Sequence, residues 1–159
     1  MAKRKIILVL WNLRSVENTA SLFRTADAAG VEKIYLAGIT SKPTDRFGKW
    51  DSRFIKISLG AERTMLWEYV SSKKRTLDAL HDAGYALYAL EQSPRSVSYH
   101  KVKMTHKKIA LVLGNEVTGL PGSLLKCADK ILEIPMHGHK ESLNVAVAGG
   151  IALFRLRYQ

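Results

Sequence analysis

The run Ile6-Ile7-Leu8-Val9-Leu10 is apolar without alternation, the pattern of a strand covered on both faces and therefore of a parallel sheet. Comparable runs at Lys33 to Gly38, Tyr85 to Leu90, Ile109 to Leu113 and Lys130 to Ile134 predict four more strands. Between the first two, Val16 to Ala29 carries apolar residues at Ala20, Phe23, Ala26 and Ala28, with Ser15 placed to cap a helix and Gly30 to end it. Strand, helix and strand in about 35 residues form a βαβ unit with a right-handed crossover. Arg63 to Ala83 has helical spacing with a break near Ser71-Ser72, and Pro121 suits the first turn of a short helix reaching Cys127. Ser142 to Tyr158 reads as a closing helix capped by Ser142, and the polar stretch Ile39 to Leu59 as a long functional loop. The sum is an α/β fold, a parallel sheet flanked by helices.

Composition narrows the class. The 159 residues match one domain at the usual ~150 residues per domain. The lone Cys127 cannot form an internal disulfide and fits a reducing, cytoplasmic setting. Lys3-Arg4-Lys5 before Ile6 to Trp11 imitates a signal peptide, but the apolar stretch is too short and lacks a small-residue cleavage site. No apolar run approaches the length of a membrane span. The 25 Lys and Arg against 14 Asp and Glu leave a formal charge of +11, which points to a polyanionic partner, RNA or DNA.

Candidate chemistry gathers at strand ends, where ligands bind in open α/β sheets. Gly114-Asn-Glu-Val-Thr-Gly119 lies between a strand and a helix, yet it continues Leu-Pro where a phosphate loop needs Lys-Ser/Thr, and no G-x-G-x-x-G occurs. A plain turn could use both glycines for positive φ but gives no reason for Glu116. Ile134-Pro-Met-His-Gly-His-Lys-Glu-Ser-Leu-Asn144 is the second dense stretch. His137 and His139 lack the further ligands a metal needs, so no metal is expected, and Ser142 lacks a nucleophile elbow. In the first helix, Asn18 and Arg24 are the polar residues of note.

Taken together, Asn18-x5-Arg24-Thr-Ala-Asp-Ala-Ala-Gly30, Leu113-Gly-Asn-Glu-Val-Thr-Gly-Leu-Pro121 and Ile134-Pro-Met-His-Gly-His-Lys-Glu-Ser-Leu-Asn-Val145 resemble, in order and spacing, the three motifs of the SpoU (TrmH-type) branch of the SPOUT RNA methyltransferases. The resemblance implies a sheet whose C-terminal part is tied in a deep trefoil knot, a homodimer, and S-adenosylmethionine held by the knot loops. It also implies methyl transfer to a ribose 2′-hydroxyl of tRNA or rRNA. Carried over by position, the cofactor residues are Leu90, Gly114, Ile134, Met136 and Leu143. Arg24 would act on the ribose hydroxyl. Because a guanidinium keeps its proton in proteins, phosphate clamping and alkoxide stabilisation suit it better than a base role. Asn18 would orient Arg24 or the ribose, Glu116 would fix the arginine, and Ser142 and Asn144 would complete the site; in a dimer Arg24 would face the partner's cofactor.

Many members carry an added RNA-binding domain, whereas here residues 1–159 read as the methyltransferase domain alone. RNA contact is therefore expected from basic segments of that domain: the Lys42–Lys56 loop with Arg46, Lys49 and Arg53, the acid-free Ser93–Lys108 stretch with Arg95, Lys101 and Lys103, and Lys3-Arg4-Lys5. The rival readings are a non-catalytic RNA-binding module and a base-methylating relative.

Overall fold

The computed structural model describes residues 4–158; Lys3 of the basic N-terminal trio lies outside them. The elements in chain order are β1 (Lys5–Trp11), α1 (Val16–Ala28), β2 (Lys33–Ala37), α2 (Ser52–Ser58), α3 (Ala61–Thr64), β3 (Trp67–Val70) and α4 (Lys73–Asp82). Then follow β4 (Ala86–Leu90), β5 (Val97–Ser98), β6 (Lys108–Leu113), α5 (Gly122–Cys127), β7 (Lys130–Glu133) and α6 (Val145–Arg157). They build a seven-stranded sheet, order β3-β2-β1-β6-β4-β7-β5, in which every pairing is parallel. The late strand β6 is inserted between β1 and β4, an order compatible with the C-terminal threading implied by the resemblance.

The continuous apolar runs are what a two-faced core requires. Ile6, Leu8 and Leu10 of β1 join Phe23, Ile109, Leu111 and Leu153 on one face, while Ile7 and Val9 join Leu77, Leu87, Ala110 and Leu124 on the other. Ser15 caps α1 by accepting from the Asn18 amide, and Gly30 ends it at φ 66°, a conformation that favours glycine.

Four sequence expectations are corrected. Within Ile39 to Leu59, α2 forms because Asp51 caps it and Phe54 buries edge-on against Phe23, 5.1 Å between centroids. Within Arg63 to Ala83, Trp67 to Val70 is an edge strand on β2, its aromatic and β-branched residues favouring that role over helix. Pro121 is the residue before α5 rather than inside it. The last helix starts at Val145 and its cap is Asn144, whose side chain accepts from the Ala146 and Val147 amides; Ser142 lies before it.

Arginines lock the amino edge of the sheet. Arg157 donates to the carbonyls of Ala29 (2.7 Å), Gly30 (2.7 Å) and Arg4 (2.6 Å), tying α6 to the end of α1 and the start of β1. Arg4 donates to the carbonyls of His106, Met104 and Leu156, so it braces the fold instead of offering a free phosphate contact. At the other side, the buried Glu62 carboxylate accepts from the Ser58 hydroxyl and the Gly60 amide and lies 3.5 Å from Arg63 Nε. Burial pushes its pKa up, but the Ser58 and backbone hydrogen bonds outweigh that and hold it below the ordinary 4.5.

Arg157→Ala should lower unfolding stability by about 2–4 kcal/mol, since charged hydrogen bonds to three carbonyls are lost together; a denaturant midpoint equal to wild type would contradict this. A depressed folded pKa stabilises above the unfolded value and loses that contribution as pH falls through it. The stability gap between wild type and Glu62→Gln should thus be widest above pH 4.5 and narrow below it, read from denaturation at a series of pH values.

Candidate active site

Parallel pairing brings the carboxyl ends of three strands together: Leu90 of β4 is in register with Leu113 of β6 and with Leu132 of β7. Beyond these ends opens a cleft of about 600 Å³, within the range of small-molecule sites of about 300–1,000 Å³. Leu90, Gly114, Ile134, Met136 and Leu143 all line it, as do Asn18, Glu116, Ser142 and Asn144. Nine of the residues singled out in the sequence, from four distant segments, therefore share one cavity.

The floor is a tight turn. Asn115 Oδ1 accepts from the amides of Val117 (2.9 Å) and Thr118 (3.0 Å), and Gly119 closes it at φ 64°. Gly114 does not have positive φ. A Cβ there would meet the Gly119 carbonyl carbon at 2.7 Å and the Leu120 amide at 2.8 Å, so the glycine serves the loop's own return as well as any close approach by a ligand. Gly149 plays a similar part behind the cleft, where a Cβ would come within 2.7 Å of both Leu113 and Leu22.

A row of side chains joins three of these segments. Glu116 accepts from Asn18 Nδ2 at 3.2 Å and more loosely from the Arg14 and Ser15 amides at 3.4 Å. Asn18 Oδ1 accepts from Asn144 Nδ2 at 2.9 Å, and Asn144 caps α6. Within the protomer Glu116 thus holds the start of α1. Arg24 is exposed, absent from the cleft lining, and has no side-chain partner among the described residues of its protomer.

The cleft is acidic. Glu91, Glu133 and Glu141 line it beside Glu116, and no Lys or Arg among the described residues does, although the chain carries +11 overall. Glu91 is pinned by the amides of Leu120 (2.9 Å) and Gln92 (3.0 Å). None of these three glutamates was singled out in the sequence; Glu91 and Glu133 sit at strand ends and Glu141 lies within the Ile134–Val145 stretch, which were the signals available. A cavity with apolar walls and carboxylate edges suits an amphipathic cation of small-molecule size.

The basic residues divide. Arg46, Lys49, Arg53, Arg95, Lys101 and Lys103 are all exposed. Arg53, on α2, pairs with Asp51. The Lys103 carbonyl accepts from Lys130 at the beginning of β7, which puts it at the amino edge of the sheet, opposite the cleft. Among the described residues no group of three or more His, Cys, Asp or Glu side chains could hold a metal, and no helix is long and apolar enough to cross a membrane.

Known proteins share this arrangement. A tRNA (guanosine(18)-2′-O)-methyltransferase of Aquifex aeolicus is 31% identical over 99% of this chain and 71% of its own length. A 23S rRNA (guanosine-2′-O-)-methyltransferase RlmB of Photobacterium profundum is 31% identical over 96% of this chain and 59% of its own. The crystal structure of an AdoMet-bound rRNA methyltransferase from Sinorhizobium meliloti superposes with TM-score 0.87 at 29% identity, covering 98% of this chain and 56% of that one. The chain thus spans between about half and three quarters of these relatives. The SpoU rRNA Methylase family profile matches residues 5–154, and the chain belongs to that family.

Proposed function

We propose that the protein transfers a methyl group from S-adenosylmethionine to the 2′-hydroxyl of a ribose in tRNA or rRNA, working as a cytoplasmic homodimer. The observation that carries this reading is the acid-edged cleft at the ends of β4, β6 and β7, built from the three segments that resemble the family motifs. Its walls fit the donor. Leu90, Ile134, Met136 and Leu143 offer an apolar slot for adenine, and the glutamate edge favours a ligand carrying sulfonium and ammonium charge. Bound there, S-adenosylmethionine supplies an electrophilic methyl carbon.

The chain's own residues do the rest. Methyl transfer is an in-line displacement, so holding the ribose oxygen in line is the main task. Asn18 and Asn144 present amides at the cleft mouth, and Ser142 lines the same wall. Arg24 lies outside the cleft of its own protomer, and a second subunit would bring it to the ribose, where it clamps a phosphate and stabilises the developing alkoxide. A dimer face is available on α6. Val147, Phe154 and Tyr158 are exposed at helical spacing, beside a groove shared with Ser21 and Thr25 of α1.

Incubating the protein with methyl-labelled donor and total RNA, followed by digestion, should give a labelled 2′-O-methyl nucleoside. Label on a base would instead indicate a base methylase, and donor binding without any transfer a non-catalytic module. Arg24→Ala should reduce turnover about 100- to 1,000-fold, the scale for losing an oxyanion donor, with donor affinity by calorimetry nearly unchanged. Asn144→Ala removes a helix cap and should cost about 1 kcal/mol of stability, and turnover should fall by more than that loss of folded protein explains.

A further inference from the structure

The carboxyl rim of β1, β2 and β3, beside the cleft, has an unusual composition. Its three stretches, residues 10–15, 37–43 and 69–75, contain Arg14, Lys42, Lys73, Lys74 and Arg75 and no Asp or Glu. Of these cations only Lys74 is ion-paired among the described residues, with Asp78. Aromatic rings stand among them. Lys73 Nζ lies 4.9 Å from the Trp11 ring at the end of β1, and Lys42 Nζ lies 4.9 Å from the Tyr69 ring on β3. Tyr69 is 44% exposed, and the two strands are about 10 Å apart across the rim.

The rim is rigid and continuous with the cleft. Asn12 takes a left-handed conformation, φ 59°, and its Oδ1 accepts from Lys73 Nζ (3.0 Å) and the Ile39 amide (3.2 Å). A Cβ on Gly38, itself at φ +69°, would fall 2.1 Å from that oxygen. The Asn12 carbonyl accepts from Asn115 Nδ2 at 2.7 Å, joining the rim to the cleft floor. Ser41 donates to the Arg14 carbonyl, next to Glu116.

We infer that this rim binds an unpaired stretch of RNA flanking the target nucleotide, with Trp11 and Tyr69 stacking bases and Lys42, Lys73 and Arg14 meeting phosphates. The inference rests on the reading of RNA as substrate. Two features select the occupant. Cations without carboxylate partners complement a polyanion, and the exposed Tyr69 ring with the partly buried Trp11 ring beside them matches the stacking-plus-charge arrangement that grips single strands, since paired bases cannot reach a ring. The acidic cleft repels phosphates, so the backbone has to run outside it, and this rim is a cationic path joined to the cleft floor.

The test is fluorescence anisotropy of a labelled oligouridylate with the full chain and no donor present. Tyr69→Ala should weaken binding about five- to one-hundred-fold, the range for one stacked base, while Tyr69→Phe retains it. Lys42→Ala should weaken binding and shrink the salt slope by about 0.7. Trp11→Phe should bind better than Trp11→Ala, and an RNA duplex should compete poorly. Unchanged affinity in both Tyr69→Ala and Lys42→Ala, or a duplex that binds as tightly as the single strand, overturns the inference. Methylation is read separately. Rim-dependent binding with no transfer to any RNA would sink the methyltransferase reading alone, and transfer with an unaltered RNA KM in the rim variants would sink the rim alone.

Discussion

The site depends on one hydrogen-bonded row whose direction is set by an acceptor at one end and donors at the other. A carboxylate only accepts, so Glu116 requires the Asn18 amide to turn its Nδ2 inward. That leaves Asn18 Oδ1 facing Asn144, which must answer with its own Nδ2. Asn144 Oδ1 is then left to accept from the Ala146 and Val147 amides and begin α6. The Glu116 carboxylate on the loop after β6 and the first amides of α6 thus fix the two side-chain amides between them and tie together two helix starts. Asn18 lies far from Glu116 and Asn144 in sequence, and this row is what makes their segments one wall.

Charge is distributed by function and not by average. Four glutamates line the cleft, and no Lys or Arg does among the described residues, in a chain of net +11. Such a cavity attracts a cationic donor and disfavours phosphate, while the surrounding basic surface does the reverse. Donor and polyanion are thereby sorted to adjacent places before any specific contact forms, and only the second attraction reaches far enough to be strongly weakened by salt.

Much of this was legible in the sequence where the cause is local. Doubly covered strands announce themselves as unbroken apolar runs, and Ser15 and Gly30 mark the ends of α1. Edge strand β3 depends on pairing with β2, so the aromatic Trp67 and Tyr69 were overshadowed by helical spacing around them. Ser142 and Asn144 are both capable caps, and only the position of α6 chooses between them. Arg4 and Arg157 look like surface cations until the carbonyls they reach are in place. The location of Lys103 was deducible in principle: a segment joining the carboxyl end of β4 to the amino end of the parallel β6 must cross to the far edge before it finishes.

The acidic cleft also bears on why Arg24 stands where it does. Removing a hydroxyl proton develops negative charge on the ribose oxygen, and nearby carboxylates oppose that charge. A positive group is required at that moment, yet a permanent guanidinium inside the cleft would repel the donor. Placing Arg24 on the outer side of α1 resolves the conflict if, as proposed, a second subunit presents it from across the interface. The donor then enters an anionic pocket, and the arginine meets only the substrate oxygen and phosphate at the pocket's mouth, where its charge favours the transition state more than it penalises cofactor binding.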